Sequence, residues 1–582
     1  MRPRKLGSLA VLVLVTNLVA CSPGPPAADL LLTNAGVYTL NWSEPDAEGL
    51  PAADAPYDTD TGWHPDAEAV AVRDGRIVFV GSSAEAQEFT GPDTEVRDLG
   101  GATLIPGLIE SHVHLIELGK SLSQVDLVDV GTEEEAVALA EAAAAEAPPG
   151  SWILGSGWDE GAWANRYPTM ELLSERVPDH PVYLRGLHGF AGWGNRMAFE
   201  LAGIGPDTQD PDGGALVRDA QGRPNGVLLN RAILLLEEHI PTPTVEETMG
   251  HVLAGLEVMA QHGYTSIHEA GSNRLYQTAF ERLEEEGRLP LRVYSMLAAR
   301  DPELCEEWLP RGPDTDTESM LRTLSVKAFY DAALGSRGAR LIEDYSDMPG
   351  HRGVSGAEYG FDQELVARMI KAGYQAEVHA IGDAGNRETL DFFEAVLAEA
   401  PQARDLRHKI VHAQVVHPDD FQRFADLDMA ASMQPPHAVE DMDWAEDRVG
   451  SDRIQGAYAW RTMRRHGVRL LLNSDLPGSD WDIFYGLHSA ITRRDKELQP
   501  PGGWYSGQVL SPEEAVRGYT IWGAWAEFMD EETGIIREGM RGDLTAMSID
   551  PFVLGSSDPD RLLDGEILLT VVGGTIVYEG GR

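Results

Sequence analysis

The chain is short of cysteine and short of cations. Only Cys21 and Cys305 occur in 582 residues, too few for a disulfide framework, so stability has to come without one, from core burial first. Lys and Arg number 46 against 94 Asp and Glu, a net charge of −48. A surface of that sign repels phosphate, which argues against nucleic acid or an anionic membrane surface as a partner. No long acidic block accounts for the charge; it is spread as on a solvated surface. The apolar run from Leu6 to Ala20 is too short to span a bilayer comfortably. What remains, 43% hydrophobic and 24% charged residues, is ordinary globular composition for one large domain and a smaller one.

Arg2, Arg4 and Lys5 precede that apolar run, and residues 1–20 read as a signal peptide. Its end, Leu18-Val19-Ala20-Cys21, resembles the bacterial lipobox. The resemblance implies cleavage before Cys21, diacylglycerol on its thiol and an extracytoplasmic lipoprotein touching the membrane only through that anchor. A plain signal peptide with a chance cysteine is the alternative. Ser22 rather than Asp after the cysteine favours the outer membrane. With Cys21 lipidated, no intrachain disulfide remains, and residues 21–28, rich in Pro and Ala, form a tether.

Two distant stretches carry the marks of one small β-sandwich. Residues 29–102 hold a strand near Leu30 to Leu40 and a hairpin from Glu68 to Gly81 turning at Asp74-Gly75; residues 531–582 hold a second hairpin turning at Gly573-Gly574. Asp54 to Asp66 reads as loop. Between them, residues 103–530 alternate β-branched runs with helical stretches, the signal of repeated βα units. Eight strands are expected: Thr103 to His114, Tyr264 to Ala270, Leu291 to Leu297, Leu324 to Tyr330, Tyr374 to His379, His408 to His412, Asp428 to Gln434 and Val468 to Asp475. The fold class is therefore α/β, a (β/α)8 TIM barrel, with a subdomain inserted after its first strand at about 115–263, on the catalytic face.

In PGLIESHVHL, His112 and His114 stand two apart on a strand and project from one face, suited to a transition metal or, equally, to hydrogen-bonded burial. Lys327, His379, His412 and Asp475 fall at the ends of later strands, which in a barrel converge on one mouth. The chain resembles the amidohydrolase superfamily, and within it the group of YtcJ-like proteins and N-substituted formamide deformylases. The resemblance rests on the His-x-His strand, KAFYDAALGSR, HAIGD, SMQPPH and NSDLP, and runs from the first β segment to the end.

The resemblance implies two zinc ions per chain, one held by His112, His114 and Asp475, the other by His379 and His412, bridged by a carboxylated Lys327. Lys327 in a barrel-core ion pair with Asp331, and Asp475 as a helix N-cap, are the alternatives. It further implies hydrolysis of an amide, formamide or cyclic amide by metal-activated water, with Asp475 as general base. An ester, lactone or carbamate would suit the same site, and a non-catalytic metal-binding or ligand-binding surface lipoprotein is the reading from another class. The expected partner is a small amide-like molecule, and a homodimer is left open. Trp158 and Trp193 suit pocket lining or the core of the insert; Arg337 and His437 suit substrate contact or structure; His268 suits support of the site or the core. The group often has Asp at the position of Glu110 and Gly at that of Ala332, and its usual His is here Phe190, with His188 nearby.

Overall fold

The structure is a computed structural model that describes residues 26–581 except 129, 159–166, 187–190, 212–213 and 355. The leader, Cys21, His188 and Phe190 lie outside the described residues. No described helix is long and apolar enough to cross a membrane.

The eight expected strands form one parallel sheet in sequence order: Leu108–Val113, Tyr264–Ser272, Arg292–Ala298, Leu321–Phe329, Gln375–Ala380, Lys409–His412, Ala430–Met433 and Leu470–Leu472. The run expected as one strand from Thr103 to His114 is two. Thr103–Pro106 belongs to a separate sheet, and the chain enters the barrel after Gly107. A Cβ at Gly107 would lie 2.2 Å from Thr265 Oγ1, so the crossing needs glycine. The ladder stops short of closing the circle, and the seam between the last and first strands is held otherwise: Ser111 Oγ donates to the Leu472 carbonyl at 3.1 Å, and His114 N–H to the Leu476 carbonyl at 2.9 Å.

Alternation along each strand sorts the side chains. Val326 and Ala328, and likewise Ala376, Val378 and Ala380, join the apolar layer under the helices. Lys327, Glu377 and His379 are left to the lumen, which is polar below its mouth, where buried Lys409 and Glu377 stand 2.7 Å apart.

Between residues 122 and 244 lies a six-stranded mixed sheet, ordered Val125–Asp126, Ile153–Trp158, Val182–Gly186, Ala191–Gly194, Pro224–Asn230 and Gly214–Arg218, with apolar clusters of its own. The helices flanking it, Leu115–Ser121 and Val245–Gln261, pack in the barrel's apolar layer.

The terminal regions interleave. A four-stranded sheet is built from Leu30–Thr33, Ala69–Arg73, Arg76–Gly81 and Glu95–Asp98. A five-stranded sheet joins Gly36–Val37 and Thr103–Pro106 to the late strands Leu544–Met547, Ile567–Val572 and Thr575–Glu579. Leu30, Val70 and Val72 of the first share one apolar cluster with Leu104, Leu544 and Val571 of the second. Both expected hairpins form, with φ of +50° and +76° at Asp74-Gly75 and +54° and +76° at Gly573-Gly574, the left-handed pair that a two-residue turn requires. The stretch expected as loop from Asp54 to Asp66 contains one short ribbon, Tyr57–Asp58 against Gly62–Trp63.

Candidate metal centre

At the carboxyl ends of the strands the structure gathers His112, His114, Lys327, His379, His412 and Asp475. Asp475 Oδ1 is 3.4 Å from Nε2 of both His112 and His114, and its Oδ2 is 3.9 Å from His412 Nε2. The His379 ring lies 4.4 Å from that of His412, edge to face. Lys327 Nζ reaches to 2.9 Å from His112 Nε2.

Strand alternation places His112 and His379 but not His412, which would follow Ile410 into the outer apolar layer. The backbone turns left-handed there, with φ of +73° at His412 and +41° at Ala413, and the imidazole stands in the cluster instead. Asp475 likewise has φ +57°. Left-handed backbone at side chains with a Cβ is costly and collects at functional sites. Asp475 caps no helix; the next one, Ile483–Thr492, is capped by Asp482.

Supporting side chains hold these atoms in place. Glu110 Oε1 accepts from the N–H and Oγ of Ser474 at 2.6 and 2.9 Å, pinning the residue before Asp475. His412 Nδ1 meets Gln434 Oε1 at 2.9 Å, while Gln434 Nε2 donates to Asn473 Oδ1 at 2.7 Å, and Asn473 Nδ2 donates to Ser111 Oγ at 3.1 Å. A proton held on Nδ1 leaves the Nε2 lone pair of His412 open toward Asp475. Glu269 Oε2 accepts the N–H of Leu115, the residue after His114, at 2.8 Å. Sequence reading missed Glu110, Gln434, Asn473 and Glu269 as supports, although the first three lie inside the motifs it singled out.

The electrostatics separate the members. Burial, then the cationic Lys327, holds His112 far below its ordinary value, and burial with His412 does so for His379. Burial takes His412 down to about 3. For Asp475 burial works upward, but the adjoining His114 and the potential of His112 and His412 outweigh it and keep the carboxyl well below the usual range. Burial lowers Lys327 to about 8 against the pull of Asp475 and Glu377. Burial pushes Glu110 up to about 8 and Glu269 to about 7.

The residues fit a metal ion. Donor atoms of His112, His114 and Asp475 lie within 4.8 Å of one another, as do those of His412, His437 and Asp475. Asp475 Oδ1, set between His112 and His114, is buried without a hydrogen-bond partner, which buried polar atoms rarely tolerate unless an ion or water completes them. Imidazole nitrogen with carboxylate oxygen is the donor set of zinc and its neighbours.

The remaining expected residues fall in different places. His437 stacks on His412 with ring centroids 5.9 Å apart, so it faces the cluster. Asp331 does not pair with Lys327; it accepts backbone N–H groups of Arg340, Ile381 and Gly382, each at 2.9 Å, and so pins the turn after His379. Trp158 and Trp193, for which the sequence leaves pocket lining and the core of the insert both open, lie in the core of the insert. They stand 6.2 Å apart, fully buried, and donate their indole N–H to the carbonyls of Leu184 and Thr169. Tertiary packing decided that placement. Arg337 holds Asp347 through two bonds of 3.1 and 2.7 Å, a structural pair beside a left-handed turn. His268 lies deeper in the lumen, 3.3 Å from Glu527, and not in the cluster.

Residues 95–578 match the model of an amidohydrolase family. The chain is 32% identical to a putative amidohydrolase, YtcJ, of Bacillus subtilis, over 88% of this chain and 96% of that one. It is 28% identical to an N-substituted formamide deformylase of Arthrobacter pascens, over 88% and 95%. Among solved structures, an uncharacterized metal-dependent hydrolase of Pyrococcus furiosus superposes with a TM-score of 0.71 at 26% identity, over 90% of this chain and 99% of that one.

Proposed function

The chain belongs to the amidohydrolase family, whose matched region contains the whole cluster, and on that premise we propose that it hydrolyses a non-peptide carbon-nitrogen bond of an amide, formamide or cyclic amide. One observation carries the reading: six side chains from five strand ends meet in one group around the buried, unpartnered Asp475 Oδ1. His112, His114 and Asp475 would hold one divalent ion, zinc by donor type, and His379 and His412 a second. Lys327, neutral above about pH 8, would bridge them once carboxylated. When bound, a divalent ion supplies Lewis acidity that polarises a carbonyl and brings the pKa of water toward neutrality.

The chain's own part is proton movement and shielding. Asp475 is ionised at neutral pH, so a carboxylate oxygen can take the proton of the attacking water and return it to the departing nitrogen. Gln434 keeps the lone pair of His412 directed inward, and Glu110 keeps Asp475 in its left-handed turn. The side chain of His114 is 35% exposed while those of His112, His379 and His412 are 1%, 12% and 5% exposed, so the substrate approaches over His114. We read the two terminal sheets, which share one apolar cluster, as a single β-sandwich domain, and Cys21 as the site of a lipid anchor at the outer membrane.

Elemental mass spectrometry of the purified protein, alongside an amide hydrolysis screen, tests the function. About two divalent ions per chain with turnover of an amide is the expected result. No ion after reconstitution and no turnover overturns it. Loss of fatty-acid labelling in Cys21→Ala is the result expected of an anchor; unchanged labelling removes it.

A further inference from the structure

A cleft of about 530 Å³ lies between the insert and the barrel mouth. None of the clustered side chains lines it, but its barrel-side wall is built from the segments that follow two of them. Glu117 and Lys120 ride on the helix Leu115–Ser121, which begins immediately after His114, and Pro477 stands two residues beyond Asp475. The two segments are tied by the His114 N–H bond to the Leu476 carbonyl. His114 is also the most exposed of the clustered histidines.

The opposite wall is one face of the insert's sheet. Leu154 pairs in register with Tyr183 and Ser156 with Arg185, and all four line the cleft together with Gly155, while Ile153, Val182 and Leu184 pack into the insert's core. Ile240 and Pro241 complete that side.

The charges in the cleft are matched. Arg185 stands 3.3 Å from Glu237, which also accepts from the Tyr183 hydroxyl at 2.8 Å. Lys120 stands 3.6 Å from Glu117, which accepts from Tyr276 at 2.8 Å. Two cations tied to two carboxylates leave no excess charge for an ionic ligand, and the surface between them is mostly apolar, with Ser121, Gln124, Ser156 and Thr242 set among Leu154, Ile240 and the prolines. The volume is that of sites enclosing drug-sized ligands and far exceeds a one-carbon acyl group.

We propose that this cleft is the subsite for an uncharged alkyl or aryl substituent of the amide, running from the scissile bond over His114 and between Pro477 and Leu154. The substrate class is thereby narrowed to amides with a bulky apolar substituent. This rests on the amide-hydrolase reading above.

The test uses the full-length, metal-loaded protein with two series of substrates, N-alkylformamides from methyl to hexyl and N-methylalkanamides from acetyl to octanoyl. The wild type should gain roughly two- to fourfold in kcat/KM per methylene in one series, and which series rises identifies the side of the bond that enters the cleft. Leu154→Glu and Ser156→Trp should abolish the rise and leave the shortest substrate within about twofold of wild type. Ser156→Trp keeps the test informative if Leu154→Glu folds poorly. An equal rise in both variants, or no rise in the wild type, overturns the proposal. Calorimetric binding of N-hexylacetamide gives a readout independent of turnover. Saturable binding that both variants lose supports the cleft even if no amide is hydrolysed; binding the variants retain, or none in the wild type, overturns it.

Discussion

Lys327 Nζ lies 2.9 Å from Nε2 of His112. As an ammonium, Lys327 covers the lone pair that His112 would offer a metal, so the two residues cannot both serve an ion until the amine is neutral and modified.

That relationship makes assembly of the site dependent on carbon dioxide and on pH. At fixed dissolved carbon dioxide, metal uptake by stripped protein should quicken as pH rises through about 8, where Lys327 loses its proton. Stopped addition of zinc with and without carbon dioxide checks this, and Lys327→Ala should bind at most one ion with no such dependence. Uptake indifferent to carbon dioxide in the wild type removes the bridge.

Asp475→Asn keeps the shape of the side chain and most of its contacts but cannot take a proton. The rate should fall roughly 10²-fold or more, with metal content largely retained. Unchanged turnover would remove Asp475 as the base.

Gln434→Met withdraws the acceptor from His412 Nδ1. Metal affinity, measured by chelator competition, should weaken roughly 10- to 100-fold, through the ion on the His412 side. Equal affinity in the variant would show that the amide does not orient the ring.

Glu110→Ala leaves the buried N–H of Ser474 without its acceptor, a loss of about 1–3 kcal/mol, and frees the Asp475 turn. Thermal midpoint and kcat should both fall, KM less so, and Glu110→Asp should recover part of each. A variant that loses stability but keeps kcat would confine Glu110 to closing the barrel.

His408, buried in the barrel wall, accepts the N–H of Ala376 on Nδ1 at 3.0 Å, and burial lowers it to about 4. Its folded pKa lies below its unfolded value near 6.5, so its stabilising share is complete above that value and is lost as pH falls through about 4. The share is at most about 3 kcal/mol. His408→Asn should flatten the decline in thermal midpoint over that window, and a decline as steep as the wild type would assign the acid lability to other buried histidines.

The barrel was legible because alternation and spacing are written in the residues: all eight strands lie where β-branched runs predict them. The places of His112, Lys327 and His379 at strand ends followed from those runs, while their joining in one ligand set was implied only by the family resemblance. Unreadable were the left-handed turns at His412 and Asp475, since a reversal of backbone handedness leaves no period behind. The two tryptophans of the insert were unreadable for another reason. A large buried ring and a large pocket-lining ring look alike until the neighbouring strands are in place. Glu110 read as a mere departure from Asp, yet its carboxylate spans to Ser474 across the barrel seam.

Thr545 Oγ1 accepts the N–H of Leu108, 437 residues earlier in the chain, and the strand around it covers Thr103–Pro106. During synthesis the entrance to the first barrel strand therefore waits, with one edge unpaired, until residue 547 has been made. Such long-range pairing is slow and leaves sticky intermediates. A nascent chain of this protein needs guarding until that late strand emerges, and a truncation that removes Leu544–Met547 exposes an edge more than 400 residues earlier.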